Sequence, residues 1–349
     1  MTRLLLLIAL LLPTAAVAKQ SVDLKPKEPG RYVFTTWGEY RLNASILDDF
    51  AVDSEDPPTY HGQERYLDHR LRAGFGLQIA RLSLATEWDF LNGQFAGDTW
   101  NLGSLDERAR DRYRSFTPDG ISPRRISAMA RWAALDVEIG LMPSHWGLGM
   151  LANDGDHDPY FGRNDFGDRV VRLRVTGRPL YASKDDDPAK NKLLVTGAFD
   201  LVIADDFGAI DDGQLAMQGV VSLLYADPGH CMHGIYVVYR HQSEPNDAGT
   251  TDAFALDVYA DQTFQLPGAS LRLAVEAALL AGTTSRTLTY NAREQMQVGS
   301  FGATGLAVLG FAEEKVQVHL RAGFGSGDDD RSQRRAQFMS GASGLGGHG

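Results

Sequence analysis

Arginine and acidic side chains recur at every second position in several segments of this chain. Arg70 and Arg72 stand two residues apart, and Glu87 and Asp89 repeat this spacing with carboxylates. Residues two apart lie on the same face of a β-strand. A guanidinium fork binds carboxylate or phosphate through paired N–H groups. Such a face predicts either recognition of an anionic solute or a network of ion pairs.

The residues between these charges are apolar, and their parity changes at a short turn. Before Ala80 the apolar residues take odd positions, as at Leu77, and after Arg81 they take even positions, as at Leu82. A two-residue hairpin requires this change if one face of the sheet is to stay apolar on both strands. The same change follows Ala133-Ala134. Long strands with one apolar and one polar face are typical of a lipid-facing barrel wall.

The alternation extends over most of the chain and predicts an all-β fold, an up-and-down antiparallel transmembrane β-barrel of about 13 strands. The later strands are predicted near 169–178, 192–204, 214–226, 232–242, 252–265, 270–282, 294–311 and 315–326. Glycines obscure the alternation in 294–311, which predicts a bulge or a sharp bend there. Bacterial single-chain barrels have even strand numbers. The odd count therefore predicts that the chain is truncated before its C-terminal strands; the alternative is that the count is wrong by one strand.

The two ends of the chain differ from the middle. Arg3 precedes an apolar run, and small residues end at Ala18, which is the layout of a secretory signal peptide. We therefore expect a signal peptide over 1–18, a periplasmic N-terminal segment over 19–29, and an outer-membrane barrel over 30–326. The Gly- and Ser-containing tail over 327–349 lacks alternation and is predicted to be disordered. The predicted location is the outer membrane of a Gram-negative bacterium.

The parity assignment turns one set of charges towards the lumen of the predicted barrel. The lumen-lining candidates are Arg70, Arg72, Arg125, Arg131, Arg172, Arg174, Arg240, Arg272, Arg321, Glu87, Asp89, Asp136 and Glu138. Asp200, Asp257, Asp261 and Glu276 point the same way. Arg172 and Arg174 form the most basic step and would favour an anion. The alternative is a set of lumenal ion pairs that stiffens the wall.

The predicted connections alternate between short turns, which such barrels place in the periplasm, and long loops outside. Loops over 48–64, 92–123 and 143–168 are long. The 179–191 connection is an exception, because it is long although it lies on the periplasmic side, where short turns are expected. The acidic stretch 153–168 is interpreted as a solvated external loop, with calcium binding as the weaker alternative because the twelve-residue hand pattern is missing. His230, Cys231 and His233 lack a fourth ligand, so no metal site is predicted.

Two segments carry a resemblance to known proteins. Leu141-Met142-Pro143-Ser144-His145-Trp146-Gly147-Leu148-Gly149, followed by Asn153-Asp154-Gly155-Asp156, resembles a large outer-membrane protein family of myxobacteria and relatives. The strand ending in Gly325-Ser326-Gly327-Asp328 is similar to barrels of the alginate-export type. The resemblance implies an outer-membrane barrel and a diffusion or export pore for anionic polymers. It transfers no catalytic residue.

Composition and missing motifs restrict the function further. A formal net charge of -11 disfavours a nucleic-acid partner. No nucleophile elbow, zinc-protease motif or phosphate-binding loop is found, so we predict no enzyme, no catalytic residues and no cofactor. The predicted function is porin-like passage of small or anionic solutes, with outer-membrane lipid and an anionic solute or polysaccharide as partners. The alternatives are a non-conducting structural or adhesive barrel and, less favoured, a barrel-borne hydrolase.

Overall fold

The computed structural model of the chain is all-β. It describes residues 32–47, 50–51, 60–61, 64–97, 121–155, 168–180, 192–205, 210, 213–227, 229–245, 249–285, 296–311, 315–326 and 335–336. The predicted signal peptide, the N-terminal segment up to residue 31 and most of the predicted tail lie outside these ranges. In the part of the chain that is described, no helix is long and apolar enough to cross a membrane.

Sixteen strands are numbered here in chain order. They are β1 (Tyr32–Leu47), β2 (Phe50–Ala51), β3 (Tyr60–His61), β4 (Glu64–Ile79), β5 (Leu82–Gly97), β6 (Ser122–Arg131), β7 (Leu135–Pro143), β8 (Arg169–Gly177), β9 (Leu193–Ala204), β10 (Leu215–Asp227), β11 (Cys231–Ser243), β12 (Thr250–Leu266), β13 (Ala269–Thr284), β14 (Met296–Phe311), β15 (Val316–Gly325) and β16 (Arg335–Ala336).

The main sheet is an up-and-down meander, as the alternation predicts. Its order is β1-β4-β5-β6-β7-β8-β9-β10-β11-β12-β13-β14-β15, so each of these 13 strands neighbours the next long strand in the chain. The registered pairs from β6 to β15 are all antiparallel. The short strands β2 and β3 form a separate two-stranded sheet inside the predicted 48–64 loop. The predicted fold class is confirmed.

Tight turns connect the strands where the parity changes. Ala80 and Arg81 alone separate β4 from β5, and Ala80 has a φ of 52°. The primed turns that suit twisted hairpins need a positive φ at this first central position. Pro267 and Gly268 alone separate β12 from β13, and Gly268 has a φ of 75°. Proline followed by a left-handed glycine is the sequence signature of a type II turn.

Contacts divide the chain into two compact units. The first contains Val33–Gly76 and Glu87–Pro123, and the second contains Leu77–Thr86 and Arg124–Gly349. The first unit therefore carries most of β1, β4 and β5. The second carries the β4–β5 turn and every strand from β7 to β16.

One local expectation about the strands is wrong. No bulge interrupts β14, because it pairs with β13 in one continuous register from Ala269↔Phe311 to Thr284↔Met296. Its glycines leave the backbone extended, and the irregularity lies instead between β8 and β9, at Arg169/Val170. Within 327–349 only Arg335–Ala336 are described, and they form β16, which pairs in parallel with Gln297 and Val298 of β14; the predicted disorder of this tail stays a prediction.

The two faces of the sheet have opposite polarity, and the apolar face is the exposed one. Large apolar residues that alternate along the strands are exposed, including Ile139, Leu173, Phe199, Val221 and Val275. The intervening charged residues are buried; they include Glu138, Arg172, Asp200, Asp257 and Glu276. Charged side chains are rarely buried unless they are paired. The charged side chains of this face are therefore expected to form ion pairs and hydrogen bonds with one another.

A substitution at Val221 tests whether the exposed face contacts lipid, because Val221 lies at the midpoint of β10 and is 59% exposed. Val221→Arg is expected to destabilise the membrane-folded protein by roughly 2–4 kcal/mol, the cost of a cation on the lipid face at mid-depth. Gln218→Arg is the matched control, because Gln218 lies on the opposite face and donates to Asp200 Oδ2 at 3.1 Å. Urea titration of folding into phospholipid vesicles measures both. Equal penalties would contradict the assignment of the two faces.

Candidate functional site

In the first unit, the charged face carries a chain of ion pairs across β1, β4 and β5. Arg72 binds Asp89 through two bonds, Nε to Oδ1 at 2.6 Å and Nη2 to Oδ2 at 3.0 Å. Arg70 Nη2 lies 2.9 Å from Glu39 Oε1. Glu87 lies 4.0 Å from Arg72 and accepts a hydrogen bond from the Trp37 indole N–H at 3.1 Å. Two guanidinium groups and their carboxylates thus neutralise each other along this face.

In the second unit, Arg172 is held in the same way. Its Nε and Nη2 donate to Asp200 at 2.6 and 2.7 Å, and Nη2 also donates to Ser144 Oγ at 3.0 Å. Asp200 is fully buried. The prediction that Arg172 and Arg174 form a basic step is therefore wrong for Arg172, since the next strand supplies a carboxylate that neutralises it. At this position the geometry favours the ion-pair alternative.

The remaining lumen-lining candidates have these partners. Arg125 and Arg174 contact Glu138, Arg131 contacts Asp136, Arg240 contacts Asp205, Arg272 contacts Asp261, and Arg321 lies opposite Leu306 in the sheet register. The two carboxylates Asp257 and Glu276 differ from these, because a segment between two strands reaches them.

That segment covers residues 144–155, and we call it the inward loop. It leaves β7 and runs over the charged face instead of away from it. The backbone N–H groups of Leu148 and Met150 both donate to the Glu276 carboxylate, the latter at 3.2 Å. The Trp146 indole N–H donates to Asp257 Oδ1 at 3.0 Å. The loop is thereby fixed to β12 and β13 through neutral donors on two buried carboxylates.

Apolar packing holds the same loop. The Trp146 ring stacks on Tyr236 of β11, with centroids 5.0 Å apart and an interplanar angle of 23°. Trp146, Leu148 and Ala152 form one buried cluster with residues of five strands, namely Val220, Tyr236, Tyr259, Ala274 and Leu306. Aromatic stacking and apolar burial both stabilise such a contact.

Glycines make this path possible. Gly147 has a φ of 56°, and a Cβ there would lie 2.7 Å from Glu276 Oε2. Gly149 has a φ of 87°, and its Cβ would lie 2.7 Å from Asn153 Nδ2. On β11, a Cβ at Gly234 would lie 2.6 Å from the edge of the Trp146 ring. The loop needs left-handed backbone at two positions and a strand without a side chain under its indole.

The ends of the inward loop are tied together. Ser144 N and Asn153 N both donate to Asp168, to its carbonyl oxygen at 3.2 Å and to its carboxylate at 3.1 Å. Arg124 Nη2 donates to the carbonyl oxygen of Asp154. The two ends of the loop are therefore held close together, where β7 ends and β8 begins, and the residues between them lie over the charged face.

Charges and an anchored loop on the buried face, with apolar side chains on the exposed face, invert the polarity of a water-soluble β-protein. Lipid outside and a polar interior require this inversion. The sheet has the fold and the polarity of a transmembrane β-barrel wall. Its charged face corresponds to the lumenal face of such a wall, and the inward loop lies on that face.

Among known proteins, this chain is similar to solved structures at low identity. No protein-family model and no curated protein matches the chain. Among solved structures, the chain is similar to the trimer form of OmpT, an outer membrane protein of Vibrio cholerae, at 12% identity and a TM-score of 0.37, over 84% of this chain and 88% of that one. A porin triple mutant from Rhodopseudomonas blastica is similar at 10% identity and a TM-score of 0.29, over 84% of this chain and all of that one (100%). The assignment rests on the polarity of the two faces of the sheet, which are charged and buried on one side and apolar and exposed on the other.

The inward loop corrects the prediction of an external loop over 143–168. Its described part, up to Gly155, is largely buried, and Asp154 belongs to this buried part. The Asp residues between 156 and 167 lie outside the described ranges, so the calcium alternative for 153–168 stays untested there. Within the described ranges, no group of three or more His, Cys, Asp or Glu residues could hold a metal. Cys231 is a free thiol.

The parity reasoning missed several residues of the lumen. Arg124 is buried, although the rule that turns Arg125 inward would turn its neighbour outward. Trp146 and Gly234 were not singled out as a packing pair. A signal for the loop does exist, because Trp146, Leu148 and Met150 alternate with glycines in a segment that is not a strand. Apolar residues at this density in a connection indicate burial.

Proposed function

We propose that the protein is a porin-like barrel for small solutes, in which the inward loop forms the narrowest part of the passage through the barrel. The observation that carries this proposal is the attachment of the loop to the lumenal wall through Glu276 and Asp257. Barrel lumens are either water-filled or plugged by internal segments. A loop whose apolar side chains are buried against the strands lies along the wall. The rest of the cross-section of the lumen then stays open for solute.

Two tryptophans provide a matched test. Trp146→Ala removes the stacked ring that holds the loop and is expected to raise single-channel conductance in planar bilayers, because the loop loses its anchor on β11. Trp132→Ala removes an indole that is exposed on the outer side of the β6–β7 hairpin. This control is expected to leave conductance unchanged. Equal conductance of both variants and the parent would contradict a constricting role for the loop.

The alternatives give different results in the same recordings. A non-conducting structural or adhesive barrel predicts no channels from the parent protein and none from Trp146→Ala. Membership of the myxobacterial family, alginate export, contact with outer-membrane lipid, and the absence of enzymatic activity stay predictions. Liposome swelling with neutral sugars of increasing size measures the width of the passage directly.

A further inference from the structure

Arginines outnumber carboxylates around β7. On its lumenal face, Glu138 contacts Arg125 Nη1 at 3.5 Å through Oε1 and contacts Arg174 through Oε2. Two residues away, Asp136 lies 3.4 Å from Arg131 Nε and 2.6 Å from Arg178 Nη2. Each carboxylate of β7 therefore has arginines on both sides. This differs from the one-to-one pairs of Arg72 with Asp89 and of Arg172 with Asp200.

Exposure separates the two kinds of arginine. The side chains of Arg125 and Arg174 are 34% and 37% exposed, whereas those of Arg72 and Arg172 are 3% and 8% exposed. Glu138 is 5% exposed and also accepts a hydrogen bond from Ser127 Oγ at 2.9 Å. Ile126 and Ile139 are exposed on the opposite, apolar face. The exposed parts of the Arg125 and Arg174 side chains therefore lie on the lumenal face.

The chemistry of this pair suits a passing oxyanion. A guanidinium has five N–H donors, and Arg125 and Arg174 each use one nitrogen on Glu138. The shared carboxylate orients both groups and neutralises only one charge. Paired donors fit carboxylate and phosphate oxygens, whereas chloride offers no matching geometry. Partial neutralisation keeps binding weak enough for release, which conduction requires.

We infer that Arg125 and Arg174, backed by Glu138, form a transient lumenal site for small oxyanions of the carboxylate or phosphate type. This inference rests on the proposed porin-like function and names its preferred solute class. Arg72 and Arg172 are held in buried ion pairs, so the preference for anions belongs to Arg125 and Arg174 instead.

The test is the reversal potential of planar-bilayer channels under gradients of potassium acetate, potassium phosphate and potassium chloride. The parent is expected to prefer both oxyanions over chloride. Arg125→Gln/Arg174→Gln is expected to lower the oxyanion-to-potassium permeability ratio by about tenfold, the factor that about 1.4 kcal/mol represents. Acetate and phosphate as separate arms decide which oxyanion passes better.

Two controls separate this site from general electrostatics and from misfolding. Arg125→Lys/Arg174→Lys keeps both charges but removes the fork, and is expected to keep the chloride-to-potassium permeability ratio of the parent while losing the preference for oxyanions over chloride. Heat-modifiable mobility in SDS gels reports folding of each variant. Parent channels whose selectivity is unchanged in the folded Gln variant would overturn the oxyanion site alone. A parent without channels would overturn the porin-like function.

Discussion

Arg172→Leu is expected to destabilise the barrel by roughly 3–5 kcal/mol, the typical cost of removing one partner of a buried ion pair. The variant leaves Asp200, which is fully buried, with the amide of Gln218 as its remaining side-chain donor among the contacts described above. It also removes the bond from Arg172 to Ser144 at the start of the inward loop. Urea titration of the protein folded in phospholipid vesicles measures the change.

Arg174→Leu is the matched control at the next lumenal position of β8. Its side chain is 37% exposed, and Glu138 keeps Arg125 and Ser127 as partners. The expected cost is about 1 kcal/mol or less, the range of solvent-exposed pairs. Arg172→Leu/Asp200→Leu removes both charges and is expected to recover most of the lost stability. Similar midpoints for Arg172→Leu and Arg174→Leu would show that Asp200 is solvated in the folded protein.

Gly147→Ala is expected to release the inward loop from the wall. The left-handed backbone costs about 1–3 kcal/mol for a residue with a side chain. The added Cβ would also lie 2.7 Å from Glu276 Oε2, so the carboxylate that accepts from Leu148 must move. A hydrogen bond contributes about 0.5–1.5 kcal/mol to stability. The expected readout is faster chymotrypsin cleavage after Trp146, together with a lower urea midpoint.

Gly229→Ala isolates the backbone part of this effect. Gly229 lies in the β10–β11 turn with a φ of 81°, and a Cβ there would meet no atom within 4 Å. This control is expected to show the conformational cost alone and no change in cleavage after Trp146. If Gly147→Ala behaves like Gly229→Ala in both measurements, the loop is not held by Glu276 in the manner described.

The strands and their faces follow from local sequence. A strand turns successive side chains to opposite faces, so a charge at every second residue marks a face without reference to any other part of the chain. The parity change at Ala80-Arg81 likewise identifies a hairpin from neighbouring residues. For this reason the 13-stranded meander, the exposed Val221 and the buried Arg70 and Arg72 agree with expectations from the sequence.

Partners and loop direction depend on the tertiary structure instead. Whether Arg172 meets a solute or a carboxylate depends on the register of β9, which places Asp200 directly opposite it. The path of the inward loop depends on contacts with strands far along the chain, such as Trp146 with Asp257 and Leu148 with Glu276. Sequence periodicity carries no information about pairs so distant. The alternation thus determined the wall and its two faces, and only the assembled sheet decided which charges neutralise each other and where the loop lies.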